Sequence, residues 1–235
     1  MSISGEYTIS YHTKSFQLFA SNFELNGLAQ SSKELGEMKS NLVSISIKGR
    51  LPSGTVVAKE SAPSSLAGTL SYSKCTSSQI STIGSAVSAA LSMASDADAY
   101  LASGALGARY ATWFGTGTAN YSTVKTHFVA IKDAFATKPI TVDCGCKKTY
   151  YAYVYPNQPY KIYVCKAFWT APMTGTDSMG GTLVHEMSHF TAVAGTDDWV
   201  YGQTGAKSLA ISDPAKAVDN ADSHEYFGEN TPSQQ

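Results

Sequence analysis

At 235 residues, with 43% hydrophobic and only 15% charged side chains, the chain can pack one sizeable domain and carries too little charge for disorder. A net charge of −1 excludes the basic field that nucleic acid or an anionic lipid surface requires. No apolar run approaches the roughly 20 residues of a membrane span, so neither nucleic acid nor a membrane is expected as a partner.

The first ten residues, MSISGEYTIS, show neither a basic n-region nor an apolar h-region, so no secretion signal is visible in them. Tyr7, Ile9 and Tyr11 alternate with polar residues, as do Val43, Ile45 and Ile47, which predicts two half-buried strands. The stretch between them is polar and Gly-punctuated and reads as loop with at most a short helical turn. Two strands alone make a marginal unit. Residues 1–66 are therefore read as a β-rich N-terminal segment with linker, and residues 67–235 as the main domain. The segment Leu51–Gly68, with two prolines, is the best place for a linker or a proteolytic nick.

From Thr76 the texture changes. Ile80, Ile83, Val87, Leu91 and Ala94 recur at three- and four-residue steps, predicting an amphipathic helix that fades near Ser103-Gly104. Val124, Phe128, Ile131 and Phe135 predict a second helix, with Ser122 as N-cap and Pro139 beyond its end. Asn120-Tyr121-Ser122 matches an N-glycosylation sequon. Ile140–Asp143, Tyr150–Tyr155 and Lys161–Ala167 read as strands. Their tyrosines fit strand packing better than carbohydrate binding, and Tyr160–Phe168 is a candidate edge for pairing with a peptide. Helices, then strands, then a further helix is an α+β order with no βαβ repeat.

Cys75, Cys144, Cys146 and Cys165 are even in number and widely spaced, which fits two disulfides and an oxidising compartment. Four free thiols are the alternative; a thiolate metal site is disfavoured because C-G-C is tighter than the usual ligand spacing. Cys144 and Cys146 are too close in sequence to bond each other easily, so each should reach a distant partner.

The informative stretch is Gly181–Gly202, GTLVHEMSHFTAVAGTDDWVYG. His185 and His189 lie four apart in H-E-x-x-H, so on a helix both imidazoles can reach one metal ion. Glu186 stands where a general base would. Leu183, Met187, Phe190 and Ala194 form an apolar stripe that leaves the histidines on another face. The bland alternative is a pair of ordinary helix histidines. A Gly195-Thr196 turn would end the helix and bring back a third ligand, with Asp197, Asp198 and the later Glu225 all eligible. Tyr201 could donate to an oxyanion or be a core tyrosine. Asp222 and Glu225, three apart, share a helix face that could rim a pocket for a cationic side chain or simply be solvated.

Spacing discriminates among zinc classes. Ala192 and Gly195 stand where a metzincin needs Gly and His. G-T-D-D-W-V-Y-G instead resembles the G-T-x-D-x-x-Y-G signature of the aspzincins, the deuterolysin family. The likeness to peptidyl-Lys metalloendopeptidases extends to YAYVYPN at Tyr151–Asn157, AFW-x-AP at Ala167–Pro172, TGTDS at Thr174–Ser178 and GTLVHE-x-SHF at Gly181–Phe190. It continues through AKSLA at Ala206–Ala210, DP-x-KAV at Asp213–Val218 and NAD-x-HEYF-x-EN at Asn220–Asn230.

The resemblance, over roughly residues 72–235, implies a zincin-like metalloprotease domain. It implies one Zn²⁺ per chain, held by His185, His189 and Asp198, with Glu186 as base and Tyr201 as oxyanion donor. It also implies Asp222 and Glu225 as the residues that select lysine on the amine side of the cleaved bond, and the pairing Cys75–Cys144 with Cys146–Cys165. His224 is left without a role. Residues 1–66 resemble the closing strands of the family's propeptide, and so could inhibit or chaperone their own catalytic domain. The expected protein is a secreted zinc endopeptidase acting on proteins or peptides. The alternatives are a broad-specificity deuterolysin-like protease or protease toxin, and a catalytically idle zinc-binding module.

Overall fold

A computed structural model describes residues 7–11, 43–47 and 68–235. The chain divides into two units, Met1–Ser61 and Ala62–Gln235. In the first, β1 (Tyr7–Tyr11) and β2 (Val43–Ile47) pair antiparallel with Ile9 opposite Ile45, as their alternation predicts. The loop between them and nearly all of the linker, Lys59 included, lie outside the described residues.

The second unit opens on a strand that the sequence pattern did not predict. β3 (Leu70–Ser73) runs parallel to β4 (Ile140–Asp143), with Leu70 opposite Ile140. Three helices cross between them: α1 (Ser77–Ala102), α2 (Ala108–Phe114) and α3 (Tyr121–Thr137). Parallel neighbours need a crossover of a dozen or more residues, which these helices supply. The expectation of strands only after the helices is corrected accordingly.

β6 (Lys161–Val164) lies parallel to β4, and β5 (Ala152–Val154) lies antiparallel to β6, giving the order β3-β4-β6-β5. β6 has a neighbour on each side, so Tyr160–Phe168 cannot serve as an open edge. The outer strand on that side is β5. A short 3-10 turn at Ala167–Thr170 leads to α4 (Met179–His189), α5 (Gly202–Ser212), α6 (Pro214–Val218) and α7 (Ala221–Glu229). The mixed content is the α+β fold expected, and among the described residues no helix is long and apolar enough to cross a membrane.

α1 starts at a full capping box: Gln79 N–H donates to Thr76 Oγ1, and Thr76 N–H donates back to Gln79 Oε1. Its buried face is mostly small, with Ala86, Ala90, Ala94 and Ala97 beside Ile83, Val87 and Leu101, which lets α3 and α4 pack closely. Ile80, counted in the predicted apolar face, sits in the first turn and is exposed. The N-cap of α3 is Asn120, two residues before the expected Ser122. Its first turn is anchored from outside, by the Tyr121 hydroxyl donating to Leu101 O at 2.9 Å.

The disulfides are Cys75–Cys144 and Cys146–Cys165. They tie the end of β3 to the end of β4, and the following turn to the end of β6. With sequence separations of 69 and 19 residues, the chain-entropy model assigns them about 4 and about 3 kcal/mol.

Candidate metal centre and cleft

α4 is held at both ends by polar groups. At its start the Ser178 Oγ accepts from Gly181 N–H (2.9 Å) and donates to Glu229 Oε1 (2.7 Å). The same Oε1 accepts from Ser178 N–H (2.8 Å), and Glu229 Oε2 accepts from Asp177 N–H (3.2 Å). A carboxylate from the end of α7 thus completes the cap of α4. A Cβ at position 181 would run into that carboxylate, so the position requires glycine. Burial pushes the Glu229 carboxyl up to about 8, with Glu225 adding to the push and Ser178 opposing it.

At its other end α4 stops at His189, six residues before the Gly195 turn expected to end it. Phe190 is extended, and the N–H groups of Val193, Ala194 and Gly195 all converge on its carbonyl. Leu183, Met187 and Phe190 are buried as predicted, whereas Ala194 falls in the turn beyond the helix.

One turn of α4 separates His185 and His189, and their Nε2 atoms approach to 3.1 Å. Asp198 Oδ1 lies 3.2 Å from the first and 3.4 Å from the second. Bonds of about 2.1 Å at tetrahedral angles put ligand atoms about 3.4 Å apart, so this triangle fits one face of a four-coordinate zinc site. Two nitrogens and one carboxylate oxygen are also a donor set that zinc prefers. Burial opposes ionisation of Asp198, yet the contacts from His185 and His189 outweigh it and hold the carboxyl well below the usual range. Burial pushes Glu186 up to about 7, while His185 and His189 pull it the other way.

Asp198 arrives on a loop without regular structure. Asp197 N–H donates to Asp219 O and Ala221 N–H to Asp197 O, while the side-chain oxygen of the buried Asn220 accepts from Trp199 N–H (3.0 Å) and Val200 N–H (3.1 Å). This turns the Asp198 side chain to the histidines and leaves Asp197 exposed. The Tyr201 hydroxyl donates to Asp198 Oδ2 at 2.8 Å, and the residue is 69% exposed, well outside the core. Burial first, then this bond, pushes the phenol up to about 12.

The imidazoles are held from behind by unlike partners. His189 Nδ1 meets Thr196 O at 2.7 Å. His185 Nδ1 lies 2.8 Å from Asp222 Oδ1 and 3.4 Å from Glu225 Oε2, in line with neither. Asp222 Oδ2 accepts from Gly202 N–H at 2.6 Å. Asp222 and Glu225 share a face of α7 as their spacing predicts, but both are buried behind His185, not on a rim. Glu225 therefore stands on the far side of His185 from Asp198.

A cleft of about 1050 Å³ runs over this centre, lined by Tyr150–Val154 and Pro156 on one side and by Asp177, Trp199, Tyr201, Asp222, Glu225 and Tyr226 around the histidines. His224 points away from it: fully buried beside Phe114 and Phe128, its Nδ1 donates to Asn220 O and its Nε2 meets His127 Nδ1 at 3.0 Å. Sequence reasoning saw Thr196 only as part of a helix-ending turn and gave no role to Asn220 or Glu229. The last two stand in the NAD-x-HEYF-x-EN run, and that run was the only signal available for them.

The family model of the aspzincins, described as lysine-specific metallo-endopeptidase, matches residues 99–229. The chain belongs to the aspzincin family. It is 46% identical over 239 residues to an extracellular protease of Aeromonas hydrophila, covering 100% of this chain and 67% of that protein. It is 50% identical to the peptidyl-Lys metalloendopeptidase of Pleurotus ostreatus (68% of this chain, 96% of that protein). It is 49% identical to that of Armillaria mellea (73% of this chain, 49% of that protein). The chain thus spans about two thirds of the bacterial relative and about half of the Armillaria one. Among solved structures, a zinc peptidase from Grifola frondosa matches with a TM-score of 0.65 at 49% identity, covering 68% of this chain and all of the other. The aspzincin match makes this chain a metalloendopeptidase by family.

Proposed function

We propose that the chain is a secreted, zinc-dependent endopeptidase that hydrolyses peptide bonds with lysine on the amine side of the cleaved bond. One observation carries this reading: a His185–His189–Asp198 triangle of zinc dimensions shares a cleft with the buried carboxylates of Asp222 and Glu225. The peptidyl-Lys names of the fungal relatives support the lysine preference, and the extracellular bacterial relative supports secretion.

A single zinc ion at His185, His189 and Asp198 would supply a Lewis acid that acidifies water and polarises the scissile carbonyl. Glu186, beside His185 and open to the cleft, takes a proton from the attacking water and returns it to the leaving amine. Tyr201, exposed and beside Asp198, turns its hydroxyl from that carboxylate to the developing oxyanion. Asp222 and Glu225 set a negative floor that favours an ammonium group over a neutral side chain. The outer strand β5 borders the cleft and offers its free edge to an extended substrate.

Residues 1–66 are assigned to a propeptide-like segment, and the full-length match to the bacterial protease includes them. Self-processing before a lysine favours Lys59 over Lys74. Lys74 follows β3 directly, its Nζ sits 3.5 Å from Asp143, and the next residue is disulfide-bonded, so a cut there would sever a strand of the sheet. An inert variant that still matured at the same bond when purified alone would refute self-processing.

The decisive experiment digests a denatured protein with wild type, with Glu186→Ala and with chelator added, and maps the new N-termini. Lysine at those termini is the expected result. Mixed termini would indicate a broad deuterolysin-like protease, and no cleavage above the variant would indicate an idle zinc module.

A further inference from the structure

We propose that Trp199 is a substrate platform, on which an apolar or aromatic side chain from the acyl side of the scissile bond stacks. The side assigned to it rests on the lysine reading above. Trp199 lies in the loop between Asp198 and Tyr201, lines the cleft and is 45% exposed. A large ring clamped in water beside a reactive centre is the kind of anchor that a bound partner buries.

The indole is fixed from two directions. Its Nε1–H donates to Asp219 Oδ2 at 2.9 Å, and the Lys216 ammonium stands over the ring, 4.6 Å from its centroid. The ring therefore has little freedom left to lose when a substrate arrives. With its one N–H engaged, it offers a ligand only apolar surface. Lys216 disfavours a second ammonium there, so the platform does not compete with Glu225 for lysine. The loop itself does not need this ring. Asn220 accepts from the backbone N–H groups of Trp199 and Val200, which any side chain at position 199 would allow.

The order of groups along the cleft sets the side. α7 runs back along α4: Glu229 at its end caps the start of α4, and Asn220 before its start braces the loop that follows α4. From the Trp199 end the order is therefore Asp219, then Glu225, then Tyr226 with its bond to Asp177. A lysine directed to Glu225 leaves Trp199 on the acyl side. β5 agrees with this. Thr191 N–H donates to Pro156 O at 3.1 Å, so the far end of β5 meets the end of α4. Tyr151, at the other end, has its phenol pushed up first by burial and then by Asp177, Glu225 and Glu229. A substrate with its lysine at the Tyr151 end runs antiparallel to β5 and passes Trp199 before the metal centre.

The test uses peptides with a constant lysine after the scissile bond and phenylalanine in place of alanine at one position at a time, on either side. The readout is the Phe-to-Ala ratio of kcat/KM at each position, which cancels any change common to all substrates. Wild type should favour phenylalanine about 3- to 10-fold at one acyl-side position. Trp199→Ala should bring that ratio to unity and Trp199→Phe should restore most of it, with the lysine-to-norleucine ratio unchanged in both. A flat profile in wild type, a ratio that survives Trp199→Ala, or a preference located after the lysine overturns the proposal. Should Trp199→Ala fail to fold, oxidation of wild-type tryptophans by N-bromosuccinimide, mapped by mass spectrometry, serves instead. The acyl-side product peptide with phenylalanine at the preferred position must shield Trp199, and its alanine counterpart must not; equal oxidation with both overturns the proposal. Wild type without a lysine preference refutes the reading beneath, a separate outcome, and the ratios in wild type and Trp199→Ala still decide whether the platform exists.

Discussion

The metal centre is assembled from two kinds of backbone. His185, Glu186 and His189 ride on α4, where the helical repeat alone sets their spacing and the apolar residues opposite them dock the helix. Asp198 and Tyr201 ride on a loop with no ladder of its own, oriented by two N–H groups that donate to Asn220 and one that donates to Asp222. The helix half should tolerate changes to single side chains with its geometry intact. The loop half should lose its geometry when one buried acceptor goes.

The largest effect is expected where chemistry is removed and the scaffold is not. Glu186→Gln is nearly isosteric, so kcat should fall about 10²- to 10⁴-fold while thermal stability and zinc content stay at wild-type levels. Both can be checked on one preparation by peptide hydrolysis and metal analysis. A loss of zinc in this variant would mean that the helix half is less independent than its regular backbone implies.

Asn220→Ala tests the other half. It removes the acceptor of the half-buried N–H groups of Trp199 and Val200, at about 1 kcal/mol each, and frees the segment that carries Asp198. Stability and zinc affinity should fall together, as read by thermal unfolding with and without chelator. A variant with wild-type zinc affinity would show that the backbone bonds of Asp197 and Ala221 suffice to hold the loop.

Next comes the strut between α7 and α4. Glu229→Ala removes the acceptor for Asp177 N–H, Ser178 N–H and the Ser178 hydroxyl, and should cost about 2 kcal/mol of unfolding free energy. Glu229→Gln keeps one carbonyl oxygen and should recover part of that loss. Equal destabilisation by both would show that charge, and not acceptance, is what the helix start needs.

The helix half was the legible half. Four-residue spacing of two histidines is a local signal, and it survives folding because the helix is regular. The end of α4 was not legible, since Phe190 and Ala194 continue the apolar period past the true stop. What ends the helix is the convergence of three N–H groups on Phe190 O, which no Gly or Pro announces. The faces of Asp222 and Glu225 were legible from their spacing, but their destination was not, because it depends on how α7 packs against α4. β3 escaped notice for a simpler reason: its four residues, LSYS, offer two apolar positions in a serine-rich stretch. Alternation that short carries no period.

The smallest effect concerns His224, which α7 buries against Phe114 and Phe128, away from the cleft. Burial, reinforced by His127, lowers its imidazole to about 3 from an ordinary value of 6.5, with the Asn220 carbonyl opposing. His127 is itself lowered by burial, with Asp219 pulling it back. The folded state thus keeps His224 neutral while the unfolded chain takes up a proton below about 6.5, so the unfolded state binds more protons in that window. Stability must therefore fall as pH drops from 6.5 towards 3, by at most about 1.4 kcal/mol per pH unit from this group. Carboxylates and zinc ligands titrate nearby, so the measurement is a difference. The stability gap between wild type and His224→Asn should narrow steadily from pH 6.5 to pH 5, in denaturant unfolding at constant free zinc. A gap that stays constant would mean that His224 accepts its proton within the fold, the His127 contact rearranging to receive it, and α7 would then be less rigid a bridge than its burial implies.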